Sequence, residues 1–585
     1  MDTSELSNTA IADALAELGD LYELDGAIVH RVLAYRNAAK AVRESSVSVA
    51  ALARAGRATE LPGIGATLQQ KILTLLDTGT TPSSERMRAQ FPAGLIAITR
   101  LPGLGPKRAR LLFTELGIDS PEKLREAALA QRLRGVRGLG PKFETSVLKA
   151  LDRIAAEPPE RAAGRLLLPK AIELGETLAA GLREQNGEDT HVQVAGSARR
   201  MADSVKDIDL VAVTTKPTTL AKSLARLAEI EHVSSASRPG ARARTHSGVS
   251  VDLRIAKPAQ LGNLLQHFTG SGPHNTALRE AAVRRGLHVS EYGVLADGRQ
   301  RPITCTTEEE LYRLLDLDYI APELREHRGE LAAAAAGQLP RLIELTDIRG
   351  DLHSHTTASD GKNSIEEMGL AARERDYEYL AITDHSASHG FGDEVSPEQL
   401  RRQIELVHEA NARIEGIELL AGSEVNILPD GSLDYSDELL AELDWVIASV
   451  HTSFGMSSQT MTERMIAAIE HPLVDAIGHP TGRLIGRREP YAIDLDAVFA
   501  AAARTGTFLE INANPDRRDL SDIHARGAAR AGVRILIDSD AHRTDTLANM
   551  RWGIATARRA WLGAAEVANT LPWAELKKLR KQTRQ

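Results

Sequence analysis

The sequence has one cysteine, Cys305, in 585 residues. An internal disulfide and a cysteine-based zinc knuckle are therefore excluded, and a reducing, cytoplasmic setting is expected. No apolar run is long enough to span a bilayer, so no membrane association is expected. The opening residues, MDTSELSNTAIADALAEL, lack a basic head and a small-residue cleavage site, and no secretion signal is read there. What is present fits a globular chain: 42% hydrophobic and 26% charged residues. At roughly 150 residues per domain the length suggests about three or four domains.

Charge is unevenly spread beneath a net of −9. Residues 51–300 carry 36 Lys and Arg against 25 Asp and Glu, whereas residues 351–550 carry 17 against 35. The first stretch suits a polyanion and the second suits cations, with solvated surface charge as the plainer alternative.

Residues 1 to about 155 read as helices broken by Gly-rich turns. From about 165 a helix (KAIELGETLAAGLREQ) gives way to short β-type runs, HVQVAGS, DIDLVAVTT and VSVDLRIAK. EHRGELAAAAAGQLPRLIELTD, 326–347, reads as a boundary or linker. Beyond it seven apolar runs alternate with helix-like stretches: DIRGDLHSH, YLAITDH, ELLAGSEV, DWVIASVH, DAIGHP, TFLEINANP and VRILIDSDAH. Such alternation predicts a parallel barrel, whose sites lie at the C-terminal ends of its strands. Six of the seven runs end in or just beyond His, Asp or Glu.

Three segments of the helical half are near-copies: LPGIGATLQQKI, LPGLGPKRARLL and VRGLGPKFETSVL. Each pairs two glycines, Gly63 and Gly65, Gly103 and Gly105, or Gly138 and Gly140, with a helix start. Backbone N–H groups there can approach a phosphate, with Lys107, Arg108, Arg110 and Lys142 as counter-charges, which predicts sequence-independent DNA binding. Next, VAGSARRMADSVKDIDLVAVT places Asp207 and Asp209 at i and i+2 of a strand after a Gly196-Ser197 turn. With Asp252 on another strand, three carboxylates could hold two Mg²⁺. His353 and His355, also at i and i+2, are expected on one strand face, where they could share a metal.

These pieces arrive in the order of the DNA polymerase X family, the polymerase-beta-like repair enzymes, which residues 1 to about 320 resemble. The resemblance implies a lyase-like helical domain (1–80), fingers with two hairpins (81–160), a nucleotidyltransferase palm (161–258) and a thumb (259–322). It implies Asp207, Asp209 and Asp252 as catalytic, Gly196, Ser197 and Arg200 at the incoming triphosphate, and His267, Phe268, Gly270 and Asn275 in the nucleotide-facing segment. Lys71 stands at the position of the Schiff-base lysine, in line with His30, Arg31 and Tyr35. Two positions depart from the pattern: His267-Phe268 replaces the Tyr-Phe of vertebrate members, and Thr67 replaces a phosphate-binding lysine.

After a linker (323–347), residues 348–575 resemble the polymerase and histidinol phosphatase (PHP) family, followed by a basic tail (576–585). The resemblance implies three ions, Mn²⁺ or Zn²⁺, on nine ligands. His353, His355, Glu424 and Asp540 would hold one; Glu424 bridges to a second with His451 and His479; Asp360, His385 and His542 would hold the third. The implied fold is multidomain: an all-α helix-hairpin-helix region, an α+β palm and thumb, and a distorted (β/α)7 PHP barrel. The implied function is filling of short DNA gaps from deoxynucleoside triphosphates with a 3'-5' exonuclease, with AP-endonuclease or 5'-deoxyribose-phosphate lyase activity as possible additions. The partners are gapped or primer-template DNA, and the protein is expected to be a nucleoid-associated monomer. The competing readings are a polymerase with a small-molecule phosphatase barrel, and a non-catalytic DNA-end-binding protein.

Overall fold

A computed structural model describes residues 6–156 (except 100, 102 and 137), 165–388, 390, 392 and 394–581. The last four residues of the basic tail lie outside this set. The chain forms two compact units: Met1–Gly164 with Leu174–Gln193 and Lys206–Ile255, and Arg165–Glu173 with Val194–Val205 and Ala256–Gln585.

The first unit opens with helices whose ends follow from capping chemistry. Ser7 accepts the Ala10 amide at the start of Asn8–Asp25, and Gly26, at φ 81°, closes it in the left-handed conformation. Ile11, Leu15 and Leu18, at helical spacing, are buried with Val32, Tyr35 and Ala39 of the helix Val29–Glu44. Its sheet comprises β1 (His191–Val194), β2 (Asp207–Val213), β3 (Ile230–Ser237), β4 (Gly240–Thr245) and β5 (Ser250–Ala256), in the order β1-β2-β5-β4-β3. β2 and β5 are therefore neighbours.

In the second unit, the helices Leu261–Thr269, Gly272–Val283 and Glu308–Leu314 accompany a hairpin of Leu287–Ser290 and Gly293–Ala296. The alanine-rich stretch read as a linker is folded: Glu330–Ala335 is helical, and the buried Glu330 carboxylate lies 2.6 Å from Nδ1 of His274.

Seven strands follow: β6 (Gly350–Asp351), β7 (Tyr379–Ile382), β8 (Glu418–Asn426), β9 (Trp445–Ser449), β10 (Ala476–Ile477), β11 (Phe508–Asn512) and β12 (Ile535–Asp538), parallel and paired in chain order. The seam between first and last strands is closed by a Ser354–Ala541 bridge and two side chains. Asp351 accepts the Ser539 amide (3.1 Å) and Asp538 accepts that of Leu352 (2.9 Å). Period-two alternation then sorts the residues. Leu380, Ile382, Val446, Ala448, Leu509, Ile511, Ile535 and Ile537 join one core, while Tyr379, Ala381, Leu420, Trp445, Ile447, Phe508 and Leu536 join a second with Trp573 and Leu576. Each large apolar side chain so buried contributes about 1.5–3 kcal/mol.

Candidate active sites

Continuing the second set by twos leads from apolar packing to chemistry. Tyr379 and Ala381 run on to Thr383 and His385; Leu420 to Gly422 and Glu424; Trp445 and Ile447 to Ser449 and His451; Phe508 to Glu510 and Asn512; Leu536 to Asp538 and Asp540. The strands' C-terminal ends thereby gather His and carboxylate groups. His353 and His355, expected within a strand, instead lie just past it, because β6 stops at Asp351. Ser354 between them makes the seam bridge, and both rings are fully buried.

Glu424 is the hub. Its Oε1 lies 2.8 Å from Nε2 of His479 and 3.1 Å from Nε2 of His451; its Oε2 lies 2.8 Å from Nδ1 of His385 and 3.5 Å from Nε2 of His353. Asp540 Oδ1 lies 3.2 Å from Nε2 of His355 and 3.7 Å from Nε2 of His353. Asp360 Oδ1 lies 3.2 Å from Nε2 of His542 and 3.7 Å from Nε2 of His385. All nine expected ligands thus belong to one connected cluster.

The electrostatics follow from low dielectric and close opposite charges. Burial opposes charge on Glu424 and Asp540, yet the surrounding histidines hold both carboxyls well below the usual range. Burial likewise opposes a charged His353, but Glu510, Glu424 and Asp540 outweigh it and raise the ring well above its ordinary value. For His542, Asp360 and Asp540 outweigh burial and lift it to about 9. Burial, with His542 and His385 beside it, pushes His355 down to about 4, and burial with Arg517 pushes His479 to about 3. Neutral imidazoles are the metal-ligating form.

The residues fit divalent ions. Three groups, His355 with Asp360, His385 and His542, His353 with His355 and Asp540, and His385 with Glu424 and His451, place donor atoms within 4.8 Å of one another. Nε2 of His353 and Nε2 of His355 are buried without a hydrogen-bond partner, a costly state that a cation would relieve. The mixed nitrogen and oxygen donors suit Mn²⁺ or Zn²⁺.

Sequence reasoning missed the groups that hold these ligands. Glu510 Oε1 lies 2.7 Å from Nδ1 of His353, and its Oε2 accepts the His479 amide at 2.5 Å. Asn512 donates to Glu510 (3.2 Å) and to Asp540 (3.0 Å). Buried Asp384 accepts from Thr356 N–H (2.7 Å), Thr356 O–H (2.6 Å), Ser359 O–H (2.5 Å) and Gln403 (2.6 Å), fixing the loop that ends at Asp360. Strand parity from Phe508 would have pointed to Glu510 and Asn512; nothing local marks Asp384.

In the first unit, Asp207 and Asp209 flank buried Ile208 on β2, and Asp252 lies on neighbouring β5 between buried Val251 and Leu253. Asp252 Oδ2 pairs with Arg254 (2.7 Å) and lies 3.7 Å from Arg242, while its Oδ1 is buried without a hydrogen-bond partner. That orphaned oxygen fits a cation.

In the second unit, Gly196 adopts φ 63° at the start of the turn Gly196–Arg199, where Ser197 is half-buried. Arg200 Nε pairs with Glu326 at 2.9 Å and its Nη1 donates to the Thr269 carbonyl at 2.8 Å. The His267 and Phe268 rings lie 4.8 Å apart. Asn275 donates to the carbonyls of His267 (2.7 Å) and Gly270 (3.1 Å), tying their turn together. A Cβ on Gly270 would strike the Asn275 and His274 side chains, which accounts for glycine there.

The three helical hairpins repeat one geometry. Gly63, Gly103 and Gly138 all have positive φ (79°, 79° and 87°), and Gly65, Gly105 and Gly140 stand immediately before helices with open space where a Cβ would be. Lys107, Arg108 and Lys142 are exposed, with Arg108 over the Phe143 ring. Lys71 donates to Ser83 (2.9 Å) and lies 5.6 Å from the Tyr35 ring centre.

Fold and sites together define a polymerase-beta-like core joined to a PHP barrel. Family comparison agrees: residues 7–81 match a helix-hairpin-helix domain, 95–153 a SAM-like helix-hairpin-helix tandem, 264–326 the DNA polymerase beta thumb and 351–514 the PHP domain. The chain is 38% identical over 552 residues, 94% of each chain, to the DNA polymerase/3'-5' exonuclease PolX of Bacillus subtilis (strain 168). The barrel half is similar to smaller proteins named as probable phosphatases. One, from Caldanaerobacter subterraneus, is 34% identical over 203 residues (33% of this chain, 75% of the relative). Another, from Shewanella sediminis, is 31% identical over 247 residues (40% and 94%). The chain belongs to the PolX family, the polymerase X branch with a C-terminal PHP domain. No helix among the described residues is long and apolar enough to cross a membrane.

Proposed function

We propose that the protein fills short gaps in DNA and trims 3'-ends, with polymerisation on the Asp207, Asp209 and Asp252 carboxylates and nucleolysis at the barrel mouth. The observation that carries this reading is one chain holding both three aspartates on neighbouring strands and a connected cluster of His, Asp and Glu at the barrel mouth. Asp207, Asp209 and Asp252 would hold Mg²⁺, which would supply Lewis acidity toward a primer 3'-hydroxyl and neutralise triphosphate charge. Ser197 and Arg200 bind the triphosphate, and His267 and Phe268 pack near its sugar. Hairpin amides, Lys107, Arg108 and Lys142 grip the DNA backbone without reading sequence.

At the barrel mouth, His353, His355, Asp360, His385, Glu424, His451, His479, Asp540 and His542 would hold three Mn²⁺ or Zn²⁺ ions. Such ions would supply Lewis acidity for activating water and stabilising charge on a departing 3'-oxygen. Glu510 and Asp384 keep the ligands oriented. Lys71 supplies the amine for Schiff-base removal of a 5'-deoxyribose phosphate, testable by borohydride trapping on incised abasic DNA. We place the protein in the cytoplasm as a nucleoid-associated monomer.

Incubating the full chain with gapped and 3'-mismatched duplexes, with Mg²⁺ or Mn²⁺ and with or without nucleotides, tests the reading. Gap filling with nucleotides and 3'-shortening without them are expected; absence of either overturns the corresponding half. The likeness to probable phosphatases favours a second reading, a small-molecule phosphatase barrel. A sugar phosphate hydrolysed in preference to a competing DNA 3'-end would select it.

A further inference from the structure

The chain that follows Ser197 is held, almost residue by residue, by arginines of the barrel domain. Arg559 Nη1 donates to the Arg200 carbonyl at 2.8 Å, and Arg518 Nη2 donates to the Met201 carbonyl at 3.0 Å. Asp203 pairs with Arg483 (2.9 Å) and Arg518 (3.2 Å). The Arg200 side chain is held as well: the Glu326 oxygen that it meets at 2.9 Å also meets Arg559 at 2.9 Å. Glu326 thus joins the expected triphosphate ligand to the barrel helix Met550–Arg559 through one atom.

Within one four-residue turn, two barrel guanidiniums donate to the main-chain carbonyls of Arg200 and Met201, and two pair with the Asp203 carboxylate. The turn needs restraint, because Met201 adopts φ 56°, a left-handed conformation that residues with a Cβ rarely take. The Ala202 amide donates to the Ser197 carbonyl at 3.1 Å, so movement of residues 201–203 is passed directly to Ser197. The arginines are themselves fixed before any nucleotide arrives. Arg518 is fully buried and donates to Thr556 (2.8 Å), and Arg559 is held by Asp522 (2.9 Å).

We infer that Arg518, Arg559 and Glu326 are positioning residues for the incoming nucleoside triphosphate, so that the barrel domain sets the polymerase's nucleotide affinity as well as carrying the nuclease. This rests on the reading of Ser197 and Arg200 as triphosphate ligands. The residues act through the turn and touch no reacting atom, so KM for nucleotide should move while kcat stays.

The test is single-nucleotide insertion on a one-nucleotide gap by the full chain, comparing Glu326→Gln, Arg518→Met, Arg518→Lys and Ser197→Ala. Loss of a charged hydrogen bond predicts a nucleotide KM raised about tenfold or more in Glu326→Gln and Arg518→Met. The same variants should keep kcat and gapped-DNA affinity within about threefold, with partial recovery in Arg518→Lys. If Ser197→Ala raises KM and Glu326→Gln and Arg518→Met do not, the inference is overturned and the triphosphate reading stands. If Ser197→Ala leaves KM unchanged, the underlying reading is overturned. Should Arg518→Met fail to fold, Glu326→Gln, which keeps shape and removes only charge, decides alone. A fall in active fraction with KM unmoved also overturns the inference.

Discussion

The Glu510 carboxylate, fully buried on β11, lies 2.7 Å from Nδ1 of His353 and turns that ring's Nε2 toward Asp540. Its other oxygen holds the His479 amide, so one side chain fixes two expected metal ligands from opposite parts of the barrel. A carboxylate behind a ligating histidine typically changes metal affinity about 10–100-fold. Glu510→Gln should therefore bind Mn²⁺ about 10–100-fold more weakly. Calorimetric titration of the metal and the Mn²⁺ dependence of 3'-end trimming read this; unchanged affinity would remove Glu510 from the account.

Acid stability should be governed by a different buried set. Glu308 pairs with Arg199 (2.6 Å) and Arg325; burial alone would raise its carboxyl, but the two guanidiniums hold it below the ordinary 4.5. A depressed native value gives stabilisation that is complete above the unfolded value and disappears as pH falls through the native one. Melting temperature should thus be insensitive to this group from pH 6 to 8 and decline below about 4.5. Glu308→Gln should melt lower at pH 7, by an amount on the order of 3 kcal/mol in unfolding free energy, and the gap should narrow below pH 4.5. A gap that is constant with pH would contradict the assignment.

Backbone gripping by the hairpins predicts a salt signature. Lys107→Ala and Lys142→Ala should each reduce the slope of log affinity against log salt by roughly one, equally on unrelated DNA sequences. Fluorescence anisotropy across salt concentrations measures this. A sequence-dependent loss would mean that these lysines read bases.

Much of the architecture is legible in the sequence because the barrel's signals are local. Each of the seven runs became a strand, and the expected ligands other than Asp360 lie near strand C-terminal ends, where alternation carries several of them inward. His353 and His355 were misplaced by a few residues because β6 is only two residues long. Glu510 was hidden for another reason: a single Glu in an apolar run acquires meaning only when Phe508 fixes which face is inward. The arginine contacts to residues 200–203 could not be read at all. Arg518 lies 317 positions from Met201, and no pattern in either segment announces the other.

The central claim is that two separate metal sites in one chain perform two reactions. Measuring insertion and 3'-trimming side by side on a gapped, 3'-mismatched duplex, in full-length Asp207→Asn and Glu424→Ala, tests it most directly. Asp207→Asn should lose insertion, since an amide cannot replace carboxylate charge at a shared two-metal site, and should still trim. Glu424→Ala, which removes the hub of five close histidine contacts, should lose trimming and still fill the gap. Loss of both activities in either variant, or trimming that persists in Glu424→Ala, would contradict the account.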